Sequence, residues 1–273
     1  MNERLSATTG PLDTQEGLLT IQHQRLFYRR MAAPGFKLNT QPHLVFLHEG
    51  LGCTAMWHDF PARVASDTGL PCVIYDRSGH GQSSGHAPPR DKRYLHIEAQ
   101  DILPQLLDSL QIDRAILIGH SDGGSIALLT AAACPERIAG IVTEAAHVFV
   151  EPLTLEGIRE TVAAYEPRHL EQRLTRYHGS KARNLFFAWA DTWQSPSFRR
   201  WNIEDCLGRI QCPTLVIQGR EDPYGSARQV ESIVNGIGPQ ATPLLIPRCG
   251  HAPHRDTPER VREAIAQFVK PLQ

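Results

Sequence analysis

The sequence lacks three features that would assign it to whole classes of protein. It has no run of roughly 18 uninterrupted apolar residues, the length that a membrane-spanning helix needs. The opening segment MNERLSATTG has no apolar core of the kind that forms a signal peptide. With 28 Lys and Arg against 29 Asp and Glu, it has no charged run like those of nucleic-acid tails. We therefore predict a soluble cytoplasmic protein that binds neither membranes nor nucleic acid.

Cysteine is scarce and shows none of the spacings that bind zinc or build a disulfide framework. The six cysteines are Cys53, Cys72, Cys134, Cys206, Cys212 and Cys249. Long, irregular intervals separate them, and no C-x-x-C pair occurs. We expect reduced thiols that are mostly buried and behave as small apolar residues.

Short apolar runs of strand length recur along the whole chain. They lie at 18–21, 26–29, 43–48, 72–76, 115–119, 138–143, 214–219 and 242–247. Segments with helical spacing of apolar residues separate them, at 56–67, 97–110, 125–134 and 257–269. This alternation predicts the α/β class, with a mainly parallel sheet covered on both faces. At 273 residues and 41% hydrophobic content, one large domain with an insertion is expected.

One long segment breaks the alternation. Residues 151–209 offer no strand candidate, only helical pieces, and hold Trp189, Trp193 and Trp201. We predict a core domain of residues 1–150 and 210–273 and a helical cap of residues 151–209. Ligands bind outside the carboxyl ends of parallel strands, so this cap could act as a lid. The alternative is that its aromatic residues only form the core of a small helical subdomain.

A glycine-flanked serine follows the predicted strand at 115–119. In AILIGHSDGGSIALLTAAAC, Ser121 lies between Gly119 and Gly123, after that strand and before a predicted helix. This order is typical of a sharp turn that lifts the serine hydroxyl above the sheet. Backbone N–H groups and the dipole at the helix N-terminus favour the negative charge of an attacked carbonyl. We interpret Ser121 as a nucleophile.

A serine nucleophile needs a base that removes its proton and an acid that orients the base. Asp222 lies in the loop after the seventh predicted strand, and His251 follows the eighth. Both lie past the carboxyl ends of strands, at the same edge of the sheet as the serine. We predict that Ser121, Asp222 and His251 form a catalytic triad. The competing acid and base are Glu221 and His254.

The turn after the third predicted strand reads HEGLG, from His48 to Gly52. Small residues in such a turn can direct backbone N–H groups at a reacting oxygen. We predict an oxyanion hole formed by the N–H groups of Gly50 and of Asp122, the residue after the nucleophile. The alternative is a glycine-rich turn that only reverses the chain.

Five short motifs occur in a fixed order from the third strand to the last helix. They are HEGLG at 48–52, YDRSGHGQSS at 75–84, GHSDGG at 119–124, GREDPYG at 219–225 and GHAPHRDTPE at 250–259. Together they resemble the α/β-hydrolase fold superfamily. The resemblance implies an eight-stranded, mostly parallel sheet with one antiparallel strand near the N-terminus and a helical cap after the sixth strand. It also implies that no metal or organic cofactor is needed.

One residue departs from the pattern of this superfamily. Relatives usually have His-Gly where this chain has His48 and Glu49, so a carboxylate enters next to the predicted oxyanion hole. The interpretation we favour is that Glu49 turns away into a structural hydrogen bond. The alternative is that it orients the substrate or transfers a proton.

The residue at the nucleophile position separates the subfamilies of this superfamily. Haloalkane dehalogenases and epoxide hydrolases of this fold use an aspartate where this chain has Ser121. Relatives that cleave carbon–carbon bonds often carry G-N-S-M-G, whereas this chain has GHSDG. The G-H-S form is common among esterases, thioesterases, lactonases and cofactor-free perhydrolases. The resemblance therefore favours acyl transfer to water.

These observations predict a serine hydrolase similar to carboxylic ester hydrolases. Its substrate would be a small ester, lactone or thioester with an apolar or aromatic part. The candidate substrate contacts are Glu49, His147, Phe187, Trp189 and Trp193. A carbon–carbon hydrolase of ring-fission products is the leading enzymatic alternative, and a small-molecule receptor with little turnover is the alternative from another class. A homodimer is left open.

Overall fold

The sheet at the centre of the molecule has eight strands, as predicted. The computed structural model describes residues 10–37, 41–85 and 90–273, so residues 1–9 of the segment considered for a signal peptide lie outside them. The strands are β1 Asp13–Ile21, β2 Gln24–Ala32, β3 His43–Leu47, β4 Cys72–Tyr75, β5 Ala115–His120, β6 Ile138–Glu144, β7 Thr214–Gly219 and β8 Ala241–Ile246.

The order of strands across the sheet is β1-β2-β4-β3-β5-β6-β7-β8. Strand β2 runs antiparallel to its neighbours β1 and β4, and the other adjacent pairs are parallel. The expectation of one antiparallel strand near the N-terminus is therefore confirmed. Because β3 to β8 run in the same direction, the loops after them leave from one edge of the sheet.

Helices cover both faces of this sheet. The α-helices are α1 Phe60–Thr68, α2 Tyr94–Ile97, α3 Leu103–Ser109, α4 Asp122–Ala133, α5 Pro152–Ala163, α6 Leu170–His178, α7 Ala182–Gln194, α8 Glu204–Leu207, α9 Ala227–Ile237, α10 Pro253–Asp256 and α11 Pro258–Val269. A π-helical turn, Glu98–Ile102, joins α2 to α3. Short 3-10 turns lie at Thr54–Trp57, Pro135–Arg137, Gly179–Lys181, Phe198–Arg200 and Lys270–Leu272. In the described ranges, none of these helices combines the length and hydropathy needed to cross a bilayer.

Alternate residues of the central strands face two separate apolar cores. Val45 and Leu47 of β3 pack with residues of α3, α4 and α9 on one face. Leu44 and Phe46 pack under α1 and α11 on the other. All four side chains are buried. Strands buried on both faces read as nearly continuous apolar runs, which is why the sequence located them.

The chain between β6 and β7 is helical, as its sequence predicted. It holds α5, α6, α7 and α8, and residues 151–209, all of them described, form no strand. Tyr165 and Phe186 centre a small apolar cluster within this segment. Trp201 instead packs into the main core. The inserted helices therefore have an apolar centre of their own and a second attachment to the sheet domain.

A histidine ties the insertion to the loops beneath it. The Nε2–H of His178, at the end of α6, donates to the carbonyl oxygen of Leu51 at 2.9 Å. Its Nδ1 accepts the N–H of Gly81, also at 2.9 Å. Burial lowers the pKa of His178, which favours the neutral ring that these two bonds require. The insertion is thus held over the loops that follow β3 and β4.

The cysteines carry no cross-link. All six are free of disulfides, and only Cys134 is not fully buried. Burial raises the pKa of the Cys72 thiol to about 12, so it stays protonated at neutral pH. The expectation of free, mostly buried thiols is confirmed.

Candidate active site

Loops at the carboxyl edge of the sheet bring Ser121, His251 and Asp222 together. Ser121 follows β5, Asp222 lies after β7 and His251 lies after β8. His251 Nε2 is 3.0 Å from Ser121 Oγ. His251 Nδ1 is 2.9 and 2.8 Å from the two carboxylate oxygens of Asp222. The imidazole therefore lies between a hydroxyl whose proton it can accept and a carboxylate that can stabilise its charged form.

The turn that carries Ser121 needs glycine on both sides. Ser121 has φ 53° and ψ −115° at the start of α4, a conformation rare for residues with a side chain. A Cβ on Gly119 would lie 2.2 Å from the carbonyl oxygen of Gly123. A Cβ on Gly123 would lie 2.0 Å from that of Leu47. Both contacts are far shorter than van der Waals distance, which explains the G-x-S-x-G spacing.

Asp222 is buried, and both of its carboxylate oxygens accept hydrogen bonds. Its carboxylate accepts Gln218 Nε2–H at 2.6 Å and the backbone N–H of Tyr224 at 2.8 Å, besides the contacts to His251. Burial by itself would raise the pKa of Asp222, but the charge and hydrogen bond of His251 outweigh it and the pKa is lowered. An ionised Asp222 assigns the proton of His251 to Nδ1, which leaves Nε2 free to face Ser121.

The histidine just before the nucleophile supports the base. His120 Nε2–H donates to the carbonyl oxygen of His251 at 2.6 Å, and the two rings lie 5.1 Å apart. Burial lowers the pKa of His120 well below its usual range, so the ring is neutral and the proton lies on Nε2. Sequence reasoning gave His120 no role, although it lies inside the G-x-S-x-G motif.

The two competing residues do not join this arrangement. His254 Nδ1 is 3.0 Å from a carboxylate oxygen of Glu144, and its ring packs 4.5 Å from Trp57. Glu221 is exposed. Of the candidate acids and bases, the structure therefore brings Asp222 and His251 to the serine.

Two backbone donors lie next to the serine without partners. Among the described residues, neither the N–H of Gly50 nor that of Asp122 donates to an acceptor. Asp122 begins α4, where N–H groups have no intrahelical partner. Gly50 lines the same cavity as Ser121. A Cβ on Gly50 would lie 2.6 Å from Cδ1 of Trp189, so this position also requires glycine.

A buried arginine braces both of these segments. Arg77 Nη2 donates to the carbonyl oxygen of Glu49 at 2.8 Å, and Nη1 donates to Asp122 Oδ2 at 3.3 Å. The hydroxyl of Tyr94 donates to the same oxygen at 2.9 Å. The side chains of Arg77 and Asp122 are only 4% and 1% exposed, so losing either would leave an uncompensated buried charge. Arg77 belongs to the YDRSGHGQSS motif, but sequence reasoning assigned it no role.

A cavity of about 210 Å³, here called the catalytic cavity, opens beside Ser121. Its walls come from the loop after β3, from α5 and α7, and from the loops after β7 and β8. The lining residues that sequence reasoning missed are Leu51, His120, Thr154, Ile158, Thr161, Tyr224, Ala252 and Arg255. Thr154, Ile158 and Thr161 have the spacing of one helix face, a signal that could have identified them.

Four of the five predicted substrate contacts line this cavity, namely Glu49, His147, Trp189 and Trp193. Phe187 does not line it, and this corrects the prediction. Residues four apart lie on one helix face, so Trp189 and Trp193 point the same way, while Phe187 is turned to the opposite side of α7. There its ring packs 5.0 Å from the ring of Tyr165.

His147 offers a free acceptor at the cavity wall. Its Nε2–H donates to the carbonyl oxygen of Tyr224 at 2.9 Å, whereas its buried Nδ1 has no partner in the ranges that the structure describes. Burial, followed by the nearby charge of His251, lowers the pKa of His147 and favours the neutral ring. The ring lies 5.3 Å from that of Trp193, which fixes its orientation.

Glu49 does not make the structural hydrogen bond that we favoured. In the described part of the chain its side chain has no hydrogen-bond partner, and its Oε2 is buried. The carboxyl folds over Gly52, where a Cβ would lie 1.7 Å from Oε2. Burial raises the pKa of Glu49. The favoured interpretation is therefore wrong, and Glu49 is a carboxyl at the cavity wall with unused hydrogen-bonding capacity.

Comparison with known proteins shows which family this sequence resembles. Residues 44–264 match the sequence profile of a family described as "Alpha/beta hydrolase family". An sn-1-specific diacylglycerol lipase of Mus musculus is 24% identical over 255 residues, covering 84% of this chain and 81% of the lipase. A 2-hydroxy-6-oxononadienedioate/2-hydroxy-6-oxononatrienedioate hydrolase of Burkholderia vietnamiensis is 28% identical over 262 residues, covering 83% of this chain and 86% of that one.

A solved structure extends the likeness to the whole fold. The enol-lactonase from Burkholderia xenovorans matches with a TM-score of 0.73 and 18% identity, covering 93% of this chain and 98% of the lactonase. At such identity the match concerns the fold alone. The similar proteins carry the names of different reactions, so they indicate a general class and no particular substrate.

Proposed function

The chain belongs to the alpha/beta hydrolase family, and we propose that it is a serine hydrolase of the carboxylic ester type. Its substrate is a small ester, lactone or thioester with an apolar or aromatic part. The observation that carries the proposal is the 3.0 Å contact between Ser121 Oγ and His251 Nε2 at the wall of a cavity. Asp222, on the far side of the imidazole, completes the triad.

In the first half-reaction, Ser121 Oγ attacks the carbonyl carbon of the substrate while His251 Nε2 takes the hydroxyl proton. Asp222 stabilises the imidazolium that forms. The carbonyl oxygen becomes an oxyanion, and the unpartnered N–H groups of Gly50 and Asp122 bind it. Each such donor typically contributes about 3 to 4 kcal/mol to transition-state stabilisation.

The first half-reaction ends when the leaving group departs. The imidazolium gives its proton to the leaving oxygen or sulfur, and the carbonyl re-forms as an ester on Ser121. In the second half-reaction His251 takes a proton from water, whose oxygen attacks the acyl carbon and forms a second tetrahedral intermediate. Collapse of this second intermediate returns the proton to Ser121 Oγ and releases the acid.

The walls of the catalytic cavity support an apolar or aromatic substrate. Trp189 and Trp193 from α7 and Ile158 from α5 contribute apolar surface. Polar side chains, among them Thr154, Thr161 and Arg255, lie between these apolar surfaces and can fix the orientation of a substrate. We assign the free Nδ1 of His147 and the free carboxyl of Glu49 to substrate orientation, since both have unused hydrogen-bonding capacity at the wall.

A carbon–carbon bond hydrolase is the second candidate. It is favoured by the 28% identity to the 2-hydroxy-6-oxononadienedioate hydrolase, a relative that this chain matches over most of both lengths. The same triad and oxyanion donors would serve this reaction. The two candidates differ in the substrate that is consumed fastest.

The test compares p-nitrophenyl esters of increasing acyl length with a vinylogous diketone of the ring-fission type. The ester proposal predicts kcat/KM for the best ester well above that for the diketone, and the reverse order favours the second candidate. The Ser121→Ala variant should lose on the order of 10⁴ to 10⁶ in turnover with either substrate. No turnover of any substrate by folded wild-type protein would contradict both candidates.

A further inference from the structure

A second cavity, of about 380 Å³, has none of its lining residues in common with the catalytic cavity. We call it the rear cavity. It is bordered by the turn between β1 and β2, by the loop after β4, by α2 and the π-helical turn that follows, and by α7 of the insertion. The mechanism described above makes no use of this space.

Three hydrogen-bond donors of the rear cavity have no acceptor among the residues that the structure describes. Arg77, only 4% exposed, has a buried Nε without a partner. Arg90 has a buried Nη1 without a hydrogen bond, and the nearest carboxylate oxygen, on Asp122, is 3.9 Å away. The buried Oγ of Ser78 also lacks a partner. Leaving such groups unsatisfied is costly, so three of them around one space indicate a ligand rich in acceptor oxygens.

The charges on the wall give the sign of that ligand. Three cationic side chains, Arg77, Arg90 and Lys181, line the cavity against two carboxylates, Asp91 and Glu98. Asp91 is exposed and accepts a backbone N–H. Glu98 is buried and accepts the hydroxyl of Tyr75 at 2.7 Å. Asp122, which lies behind the wall, pairs with Arg77, so Arg90 and Lys181 supply the positive charge of the wall. The free guanidinium donors favour an anion, and guanidinium geometry matches a carboxylate.

Much of the remaining wall is apolar, although Gln22, Gln24, His80 and Asn184 also line it. Ile97, Ile102, Leu185 and Ala188 line it, and the ring of Tyr94 lies under Arg90, whose guanidinium carbon is 5.1 Å from the ring centre. A bare inorganic anion would leave this surface empty. A carboxylate on a flat or branched apolar body would use both kinds of wall.

We propose that the rear cavity binds a small organic carboxylate with an apolar body, held by Arg90 and Arg77 through its carboxyl group. The inference does not depend on the reaction assigned to Ser121. Arg90 makes the most accessible contact, since its side chain is 13% exposed against 4% for Arg77. Its Nη2 contacts the carbonyl oxygen of Gly50 at 3.4 Å and His80 Nε2 at 3.2 Å, which leaves Nη1 for the ligand.

The test is isothermal titration of the folded protein with benzoate, with benzamide as the neutral isostere and inorganic phosphate as the bare anion. Arg90→Gln should weaken benzoate binding at least about tenfold, because it removes charge-assisted hydrogen bonds. The matched control is Arg93→Gln, on an exposed neighbour outside the cavity wall, which should bind like wild type. Ser78→Ala is a milder second variant and should weaken binding a few-fold.

Two larger substitutions locate the ligand. Ala188→Phe fills the rear cavity and should abolish benzoate binding, whereas Thr161→Phe fills the catalytic cavity and should leave it unchanged. Circular dichroism and thermal unfolding establish that each variant is folded. Failure of wild type to bind benzoate, or equal binding by Arg90→Gln, would overturn the proposal. The proposal would also be overturned if only Thr161→Phe lost benzoate binding. The same holds if phosphate or benzamide bound as tightly as benzoate.

Discussion

Ser121 owes its position to the backbone around it. Its N–H donates to the carbonyl oxygen of Glu144 at 2.8 Å, which attaches the turn to the neighbouring strand β6. Its positive φ is held between two glycines whose neighbours leave no room for a side chain. A conformation of this kind costs free energy and persists only where the surrounding structure enforces it. The hydroxyl is therefore placed before any substrate arrives.

Asp222→Asn tests how the carboxylate acts on the base. The amide would put an N–H group against the Nδ1–H of His251 or the Nε2–H of Gln218, which favours the wrong tautomer of the imidazole. We expect kcat to fall roughly 10⁴-fold with little change in KM. The matched control is Glu221→Gln, an exposed neighbour that should retain wild-type kcat. Steady-state kinetics on the best ester checks this, and a loss of less than tenfold in Asp222→Asn would contradict the assigned role.

At the scale of single residues, the sequence identified the groups whose chemistry and spacing are distinctive. Ser121, Asp222 and His251 follow strand ends, and the structure brings them into contact. The sequence could not predict the orientation of Glu49, because that orientation depends on the groups that surround the carboxyl in the folded chain. The role of Arg77 was missed for the same reason, since its partners lie far away in the chain.

Helix α7 has two faces with different tasks. Trp189 and Trp193 line the catalytic cavity, while Phe187 packs on Tyr165 within the insertion. Trp193 also donates its Nε1–H to the hydroxyl of Tyr94 at 3.0 Å. Because this hydroxyl donates to the carboxylate of Asp122, the bond connects the insertion to Asp122. The cavity wall is thus held by the same contacts that position the first turn of α4.

Trp189→Ala should change the choice of acyl group. Removing the indole from the wall is expected to lower kcat/KM for p-nitrophenyl benzoate relative to the acetate by roughly ten- to a hundredfold. Phe187→Ala is the matched truncation on the opposite face of α7 and should leave this ratio unchanged. The ratio of kcat/KM values for the two esters is the measurement. If Trp189→Ala and Phe187→Ala gave the same benzoate-to-acetate ratio of kcat/KM, the assignment of Trp189 to the cavity wall would be contradicted.

At the scale of elements, periodicity located the strands but not every boundary. Strand β1 begins at Asp13, five residues before the predicted run, because its exposed edge carries polar residues that give no apolar signal. Helix α4 begins at Asp122 because the turn at Ser121 starts it, although Gly123 and Gly124 have low helix propensity. The π-helical turn at Glu98–Ile102 adds a residue to a helical turn, which apolar spacing does not reveal.

The whole molecule buries many neutral histidines, and this sets its response to acid. Burial lowers the pKa of His43, His48, His80, His120, His147 and His178 below the usual 6.5. For His43 the pKa falls to about 4, which converts to roughly 3 kcal/mol of stability. The unfolded chain takes up protons below about pH 6.5 and the folded chain does not, so this stability is present above that pH and is lost as the pH falls.

We therefore expect the free energy of unfolding to decrease steeply from about pH 7 to about pH 5. Burial raises the pKa of Glu49 and Glu98, which opposes this trend, but these are two groups against six. Urea unfolding at the two pH values measures the decrease. In His43→Gln the decrease should be smaller than in wild type. Equal stability of wild type at both pH values would contradict the account.

At the scale of the whole molecule, the fold class and the eight strands followed from the alternation of apolar runs and from the five motifs. The antiparallel strand near the N-terminus came only from the resemblance, and the order of strands across the sheet was not predicted, since periodicity says nothing about which strands pair. The rear cavity was not predicted at all. Its walls come from segments between Gln22 and Ala188 that approach one another only in the folded chain.

Whether Ser121 is an activated nucleophile is measured most directly by the intact mass of the protein after exposure to an alkyl fluorophosphonate. We predict one adduct on wild type, located on the peptide that contains Ser121. We predict no adduct on Ser121→Ala and a strongly slowed reaction with His251→Ala. An unmodified wild-type protein, or an adduct that persists in Ser121→Ala, would show that Ser121 is not the nucleophile.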